Sequence, residues 1–430
     1  MDHPPTENQL KRSIRTPGAI LMGLGSILGT GLFVSLAIAT QVAGNGIVLS
    51  IILAGILAAF NGLSSAQLAA NYPVSGGTYE YGYRTLGSWW GFSAGWMFLT
   101  AKSASAATAV LGCAGYLFHL FGIETTAVQY VGAALLILLI MTALVSGGIE
   151  RSNEANKWIV SLTLFGLLVL VVAALWRFGL PVEPVTASLT DVSEPSILYG
   201  AALMFVAYTG YGRIATLGEE VAEPRKTIPK AIISAMLLII VIYLAVSLSA
   251  LQVMGAEAFG RTAEGEAAPL MDVAQQLSLP GLGILISVAA VTAMLGVLLN
   301  LLLGLSRVML GMSRRKDLPA ILSRVNPVTK SPAISVWATG LIIALLVLTG
   351  DITFTWSFSA FTVLIYYAIT NLSSWMLDKE QRLYPRWVPA CGFLGCLFLM
   401  VWIEPGVWIS GGILLGIGLI WHAAARRWRS

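Results

Sequence analysis

Long apolar runs recur along the chain at near-regular intervals, separated by short polar stretches. Twelve of them approach or exceed the roughly 20 residues that a helix needs to cross a bilayer. They fall at approximately 17–43, 46–70, 88–121, 126–147, 153–178, 195–220, 229–254, 279–312, 333–350, 353–377, 386–403 and 405–425. The runs are continuous and do not alternate with period two. That pattern predicts helices and argues against a membrane β-barrel, whose strands are short and alternate in polarity. The expected fold class is all-α integral membrane, with twelve transmembrane helices. The clearest connecting stretches are "RRKDLPAILSRVNPVTKSP" (314–332) and "GAEAFGRTAEGEAAP" (255–269). The second is acidic and rich in Ala and Gly, and is expected to be a flexible loop or a short surface helix.

Two runs are interrupted. "GLGSILGTGLF" (23–33) carries Gly23, Gly25, Gly29 and Gly31 with Ser26 and Thr30, and "AYTGYG" (207–212) repeats the feature five helices later. Glycines in membrane helices also serve close helix packing. Two glycine-broken spans in corresponding positions, however, point to a transporter built from inverted repeats.

Composition narrows the class. The 430 residues are 57% hydrophobic and 11% charged, with mean hydropathy +0.81. Soluble domains carry about 25% charged residues, so this chain cannot cover a soluble surface. Twelve spans put both termini on one side, together with 21 of the 25 Lys and Arg residues. Only Arg177 and Arg261 fall on the other side, and Lys102 and Arg213 fall within spans. This split obeys the positive-inside rule and predicts cytoplasmic termini in a plasma (inner) membrane. The net charge of +4 follows from that rule and is no sign of nucleic-acid binding. The N-terminal stretch "MDHPPTENQLKRSIRTPG" has no cleavable pattern. Cys113, Cys391 and Cys396 suggest neither a disulfide framework nor a metal cluster. His3, His119 and His422 have no helical i,i+4 partner and form no known catalytic motif, so a membrane enzyme is disfavoured and no cofactor is expected. A channel would more readily be built from fewer spans around a symmetry axis.

Four stretches carry a family resemblance: "GLGSILGTGLF", "YPVSGGTYEYGYRTLGSWWGFSAGWMF" (72–98), "AYTGYGRIATLGEEVAEPRKTIPKAI" (207–232) and "GLSRVMLGMSRRKDLP" (304–319). In this order they resemble the amino acid–polyamine–organocation superfamily of amino acid permeases. The resemblance implies a leucine-transporter-type 5+5 inverted repeat and alternating access around a central amino acid site. It would divide the chain into a cytoplasmic tail (1–16), a first repeat (17–178), a second repeat (195–377), two peripheral helices (386–425) and a second cytoplasmic tail (426–430).

An α-amino acid presents an anion and a cation on one carbon, and neither can go unpaired inside a membrane. A helix broken mid-span offers free N–H groups to the anion and free carbonyls to the cation. We therefore expect the carboxylate at the backbone of Gly29, Thr30 and Gly31, aided by the hydroxyls of Ser26 and Thr30. The ammonium is expected at carbonyls near Gly25 and near Val206, Ala207 and Thr209. By resemblance, Phe205 and Tyr208 are candidates for an aromatic lid, with ordinary packing as the alternative. The resemblance also assigns Glu219 and Glu220 to an inner gate.

Departures from the family pattern bear on what drives the cycle. Many relatives place a lysine in span five where Thr163 stands here, and Lys157 reads as an interfacial anchor. Lys102 lies too deep for easy snorkelling. Because desolvation disfavours an ammonium, it is a candidate proton-coupling cation. Arg213 follows the second break, and Gly212 stands where some relatives carry a carboxylate. No Asp or Glu lies deep in any predicted span. That favours a neutral amino acid over a cationic one and leaves an acidic substrate as the alternative, with Lys102 or Arg213 meeting its side chain. A sodium site near Thr163, drawing on Ser287 or Thr292, is a further option for the coupling ion. The partners implied are an amino acid, H+ or Na+, and the bilayer, and the pattern specifies no oligomeric state.

Overall fold

A computed structural model describes residues 15–427 apart from 73–75, 149–152, 191–192, 216–220, 222, 266, 327–328 and 330. Every regular element among the described residues is helical. The first apolar run is built in three pieces: α1 (Thr16–Ile27), α2 (Thr30–Phe33) and α3 (Ser35–Ala43). Pro17 opens α1, where the missing N–H has no intrahelical partner to lose. Leu28 and Gly29 leave the helical region and part α1 from α2. A 3-10 turn over Gly44–Gly46 leads into α4 (Ile47–Asn71). α5 (Thr78–Thr85) precedes the long α6 (Ser88–Phe121). α7 (Ala127–Ser146) starts with a reciprocal cap between Thr126 and Gln129, which satisfies two otherwise orphaned donors. α8 (Asn153–Phe178) and the short α9 (Val182–Thr190) follow.

The second interruption falls where the sequence places it. α10 (Glu194–Tyr208) gives way to a 3-10 turn over Thr209–Tyr211 and then to α11 (Gly212–Ala215). The chain continues through α12 (Pro224–Met254), α13 (Ala256–Arg261), α14 (Pro269–Gln276) and α15 (Leu282–Arg314). It ends with α16 (Ala333–Val347), α17 (Ile352–Trp375), α18 (Trp387–Met400) and α19 (Pro405–Arg427). Among the described residues, eight helical stretches are long and apolar enough to cross a membrane, and α1, α16 and α18 are shorter apolar helices. The molecule is a multi-pass membrane protein. Within 255–269 the expected short surface helix is present as α13, but α5, α9 and α14 are elements that the apolar pattern did not predict.

Burial separates an inner layer from a lipid-facing one. The apolar windows of α6 and α17 are 72% and 78% buried, against 28% for α7 and 22% for α19. Small residues make the inner layer possible. The stretch "SASAATAVLGCAG" (103–115) lets α17 approach closely, and Ser105–Ser359 (2.8 Å) and Thr108–Thr355 (2.9 Å) hydrogen bonds join the two helices. Outward residues such as Phe165, Val241, Ile409 and Ile420 are exposed and apolar, as a lipid environment requires.

Candidate functional site

The two broken helices cross each other. A Cβ on Gly31 would lie 2.8 Å from Ala207 Cβ and 2.8 Å from the Tyr243 hydroxyl, so this crossing admits only glycine. Beside it lies a cavity of about 230 Å³. The first break contributes Ser26, Thr30 and Gly31, and the second contributes Val206, Ala207, Thr209 and Arg213. α6 adds Phe98, Lys102 and Ser105; α15 adds Asn300 and Arg307; α17 adds Trp356, Tyr366 and Tyr367. Arg307 is exposed, so the cavity reaches solvent at that end.

The Thr30 hydroxyl is the outstanding polar atom of the lining. Thr30 is only 3% exposed, and its Oγ1 has no hydrogen-bond partner among the described residues. Leaving such a group unpaired costs about 1–3 kcal/mol. As the first residues of α2, Thr30 and Gly31 also have N–H groups with no intrahelical acceptor. The N–H of Gly29 is already committed to the Ile27 carbonyl at 3.0 Å. Ser26 Oγ donates to the Met22 carbonyl at 3.2 Å and accepts from Asn300 Nδ2 at 3.5 Å. The donors of this wall suit an anion.

Other expected residues sit elsewhere. Gly25 faces α8, where a Cβ would overlap the Asn156 side chain, and Gly29 faces Val297 of α15. Neither borders the cavity. Phe205 is fully buried edge-on against Tyr367, and Tyr208 donates to the Ile51 carbonyl at 3.1 Å. Neither borders the cavity, whereas Trp356, Tyr366 and Tyr367 do. Thr163 is buried on α8, and its hydroxyl has no partner among the described residues. Ser287 donates to Met271 Sδ, and Thr292 donates to carbonyls of its own helix. Lys157 is exposed and pairs with Glu154. Glu219 and Glu220 lie outside the described residues.

Lys102 and the second break are joined directly. Lys102 Nζ donates to Thr209 Oγ1 at 2.8 Å, and Thr209 Oγ1 donates to the Val206 carbonyl at 2.7 Å. The Tyr243 hydroxyl donates to the Ala207 carbonyl at 3.1 Å, and the Tyr367 hydroxyl to the Thr209 carbonyl at 3.4 Å. The carbonyls expected to receive a substrate ammonium at this break therefore all accept from protein donors.

A family model described as amino acid permease matches residues 18–426. The chain belongs to the amino acid permease family. Its relatives are transporters and not enzymes. An uncharacterized transporter of Mycobacterium tuberculosis is 36% identical over 97% of this chain and 92% of its own. The branched-chain amino acid permease of Bacillus subtilis is 28% identical over 95% of this chain and 93% of its own. A serine/threonine exchanger of the same bacterium is 25% identical over 92% and 91%.

In this permease the cavity mouth has a built wall that sequence reasoning missed. Tyr79 of α5 borders the cavity and donates to Asp317 Oδ2 at 2.7 Å, and Tyr83 donates to the same oxygen. His422 Nδ1 lies 3.3 Å from Asp317 Oδ1, and Trp421 Nε1 donates to the Asp317 carbonyl at 2.8 Å. Asp317 and His422 are both fully buried. Burial and the Asp317 charge push the Tyr79 phenol well above its ordinary range, so it remains a donor. Away from the cavity lining, His119 Nε2 lies 3.9 Å from Asp272 Oδ1, and Tyr116 donates to the Phe33 carbonyl at 2.9 Å while accepting from Leu270 N.

Proposed function

We propose that the permease moves neutral α-amino acids across the plasma (inner) membrane by alternating access, as a symporter or an exchanger. The central site is the cavity at the crossing of the two breaks. The observation that carries this reading is the buried, unpartnered Thr30 hydroxyl beside the leading N–H groups of α2, a donor set for a carboxylate. In the same reading the helices form twelve spans, ten of them as a 5+5 inverted repeat, with both termini in the cytoplasm. A neutral side chain is supported by two points. No carboxylate lines the cavity among the described residues. The branched-chain permease and the serine/threonine exchanger are named for neutral amino acids. The second reading, an acidic substrate, draws on Lys102, Arg213 and Arg307 in the same lining.

The test is a thermal-shift screen of the purified permease against the twenty amino acids, followed by flux in proteoliposomes. A bound substrate at about 100 times its Kd adds about 2.7 kcal/mol of apparent stability. Stabilisation and flux by neutral amino acids support the proposal. Stronger competition by glutamate moves it to the acidic reading, and no stabilisation or flux by any amino acid overturns it. The same vesicles assign the driving force. A proton requirement points to Lys102, a sodium requirement to the neighbourhood of Thr163, and independence of both to exchange.

A further inference from the structure

The C-terminal end of α10, a 15-residue helix that tightens into a 3-10 turn at Thr209–Tyr211, carries the partial negative charge of its last carbonyls. It is where a substrate ammonium would be drawn, and the protein has put an ammonium there already. Lys102 reaches it from α6 on a long flexible stem, at 2.8 Å from Thr209 Oγ1, and the Thr209 hydroxyl passes the contact on to the Val206 carbonyl. Charge inside a membrane is expensive and is retained where it does something. On the same cavity, the Thr30 hydroxyl has no partner among the described residues. The protein thus supplies its own cation at one break and no anion at the Thr30 hydroxyl of the other.

We propose that Lys102 is a tethered substitute for the substrate's α-ammonium. It occupies the end of α10 in the unloaded carrier and swings aside when an amino acid brings its own ammonium. This rests on the reading of the cavity as the substrate site and adds a role that reading does not contain. Alternating access needs the carrier to close over its site. An unloaded carrier that closed without Lys102 would enclose a negative helix end with no cation against it, which is costly in low dielectric. With Lys102 seated, the unloaded carrier closes and returns, and net transport becomes possible. Without it, the carrier closes only when loaded and is confined to one-for-one exchange. In the loaded carrier Lys102 is not a substrate contact.

The experiment compares two fluxes in proteoliposomes, using a mixture of the twenty radiolabelled amino acids as probe. Net uptake is measured into vesicles without internal amino acid, and counterflow into vesicles preloaded with the unlabelled mixture. For the wild-type permease both fluxes are expected. For Lys102→Met, net uptake is expected to fall about tenfold or more further than counterflow does, the population change that follows loss of one charge-assisted hydrogen bond. Thr209→Val, which removes the acceptor without touching the lysine, is expected to lower net uptake in the same selective way but less. Lys102→Arg keeps a cation and is expected to retain more net uptake than Lys102→Met. Four results overturn the proposal: equal loss of both fluxes in Lys102→Met when Thr209→Val loses neither, as a misfolded variant or a side-chain contact would give; both fluxes intact in Lys102→Met; selective loss absent in Thr209→Val; or wild-type protein that exchanges but shows no net uptake. If wild-type protein shows neither flux nor thermal stabilisation by the mixture, the reading of the cavity fails first, and that outcome is distinct from the other four.

Discussion

At the break between α1 and α2, Thr30 and Gly31, the leading residues of a helix, border the cavity, and the buried Thr30 hydroxyl has no partner among the described residues. At the break after α10, the carbonyls of Val206, Ala207 and Thr209 accept from Thr209 Oγ1, Tyr243 and Tyr367, and Lys102 completes the set. The two breaks are alike in sequence, glycines amid an apolar run, yet their polar groups are finished differently. The difference teaches that a broken helix is not by itself a binding site. What matters is which of its freed backbone groups the rest of the protein has already satisfied. In the proposed reading the donor side is open to a ligand, and the acceptor side is held by residues that a ligand would displace or share.

The sharpest way to break this comparison is to pull the two breaks apart. Gly31→Val places carbons where Ala207 and the Tyr243 hydroxyl already lie. It is expected to abolish transport and to destabilise the fold by about 1–3 kcal/mol, the usual cost of overpacking, as read by melting temperature and flux. The next largest effect addresses the donor side alone. Thr30→Val is expected to weaken amino acid binding by about 10- to 100-fold, the loss of one hydrogen bond to a charged group. Stability without ligand should hold or rise slightly, since the hydroxyl has no partner to lose; calorimetric titration and melting curves separate the two. On the acceptor side, Tyr243→Phe removes the donor to the Ala207 carbonyl. Its expected effect is the reverse: about 1 kcal/mol of stability lost, with affinity changed by less than about threefold. Equal effects of Thr30→Val and Tyr243→Phe on affinity would erase the distinction between the breaks.

The smallest effect lies away from the cavity and serves as a control. Burial holds the Asp272 carboxyl above the usual carboxylate range, with His119 opposing the shift. The folded state therefore binds that proton more tightly than the unfolded chain, and stability rises as pH falls through this window. Asp272→Asn is expected to raise the melting temperature at neutral pH by about a degree. The gain should shrink on acidification, as the wild-type side chain protonates, and transport at neutral pH should be little changed.

The positions of the apolar helices and of both breaks were legible in the sequence, because continuous apolar runs and glycine clusters are local signals. The orientation of residues around each helix axis was not. Gly25 and Gly29 were grouped with Gly31, yet they turn to Asn156 and Val297, because rotation is set by which neighbours pack against the helix. Phe205 and Tyr208 stood closest in sequence to the break, but Trp356, Tyr366 and Tyr367 reach the cavity from α17, some 150 residues away. Lys102 and Arg213 were found because charge in an apolar run is conspicuous, and both line the cavity. α14 also carries a signal that is readable in the sequence. Pro269 opens it, Asp272 lies in its first turn, and apolar residues at 270, 271, 273 and 274 give it one buried face. Asp317 was hidden inside a basic stretch that reads as a solvated loop.

The shell around Asp317 has a consequence for biogenesis. Tyr79 and Tyr83 precede Asp317 by 238 and 234 residues, whereas Trp421, which donates to the Asp317 backbone carbonyl, follows it by 104, with His422, on the other side of the carboxylate, next to it. The wall around Asp317 is therefore completed only once α19 has docked against the helices that precede it. A chain whose α19 had not docked would still carry a half-surrounded carboxylate, which gives quality control a way to tell an assembled permease from an unassembled one.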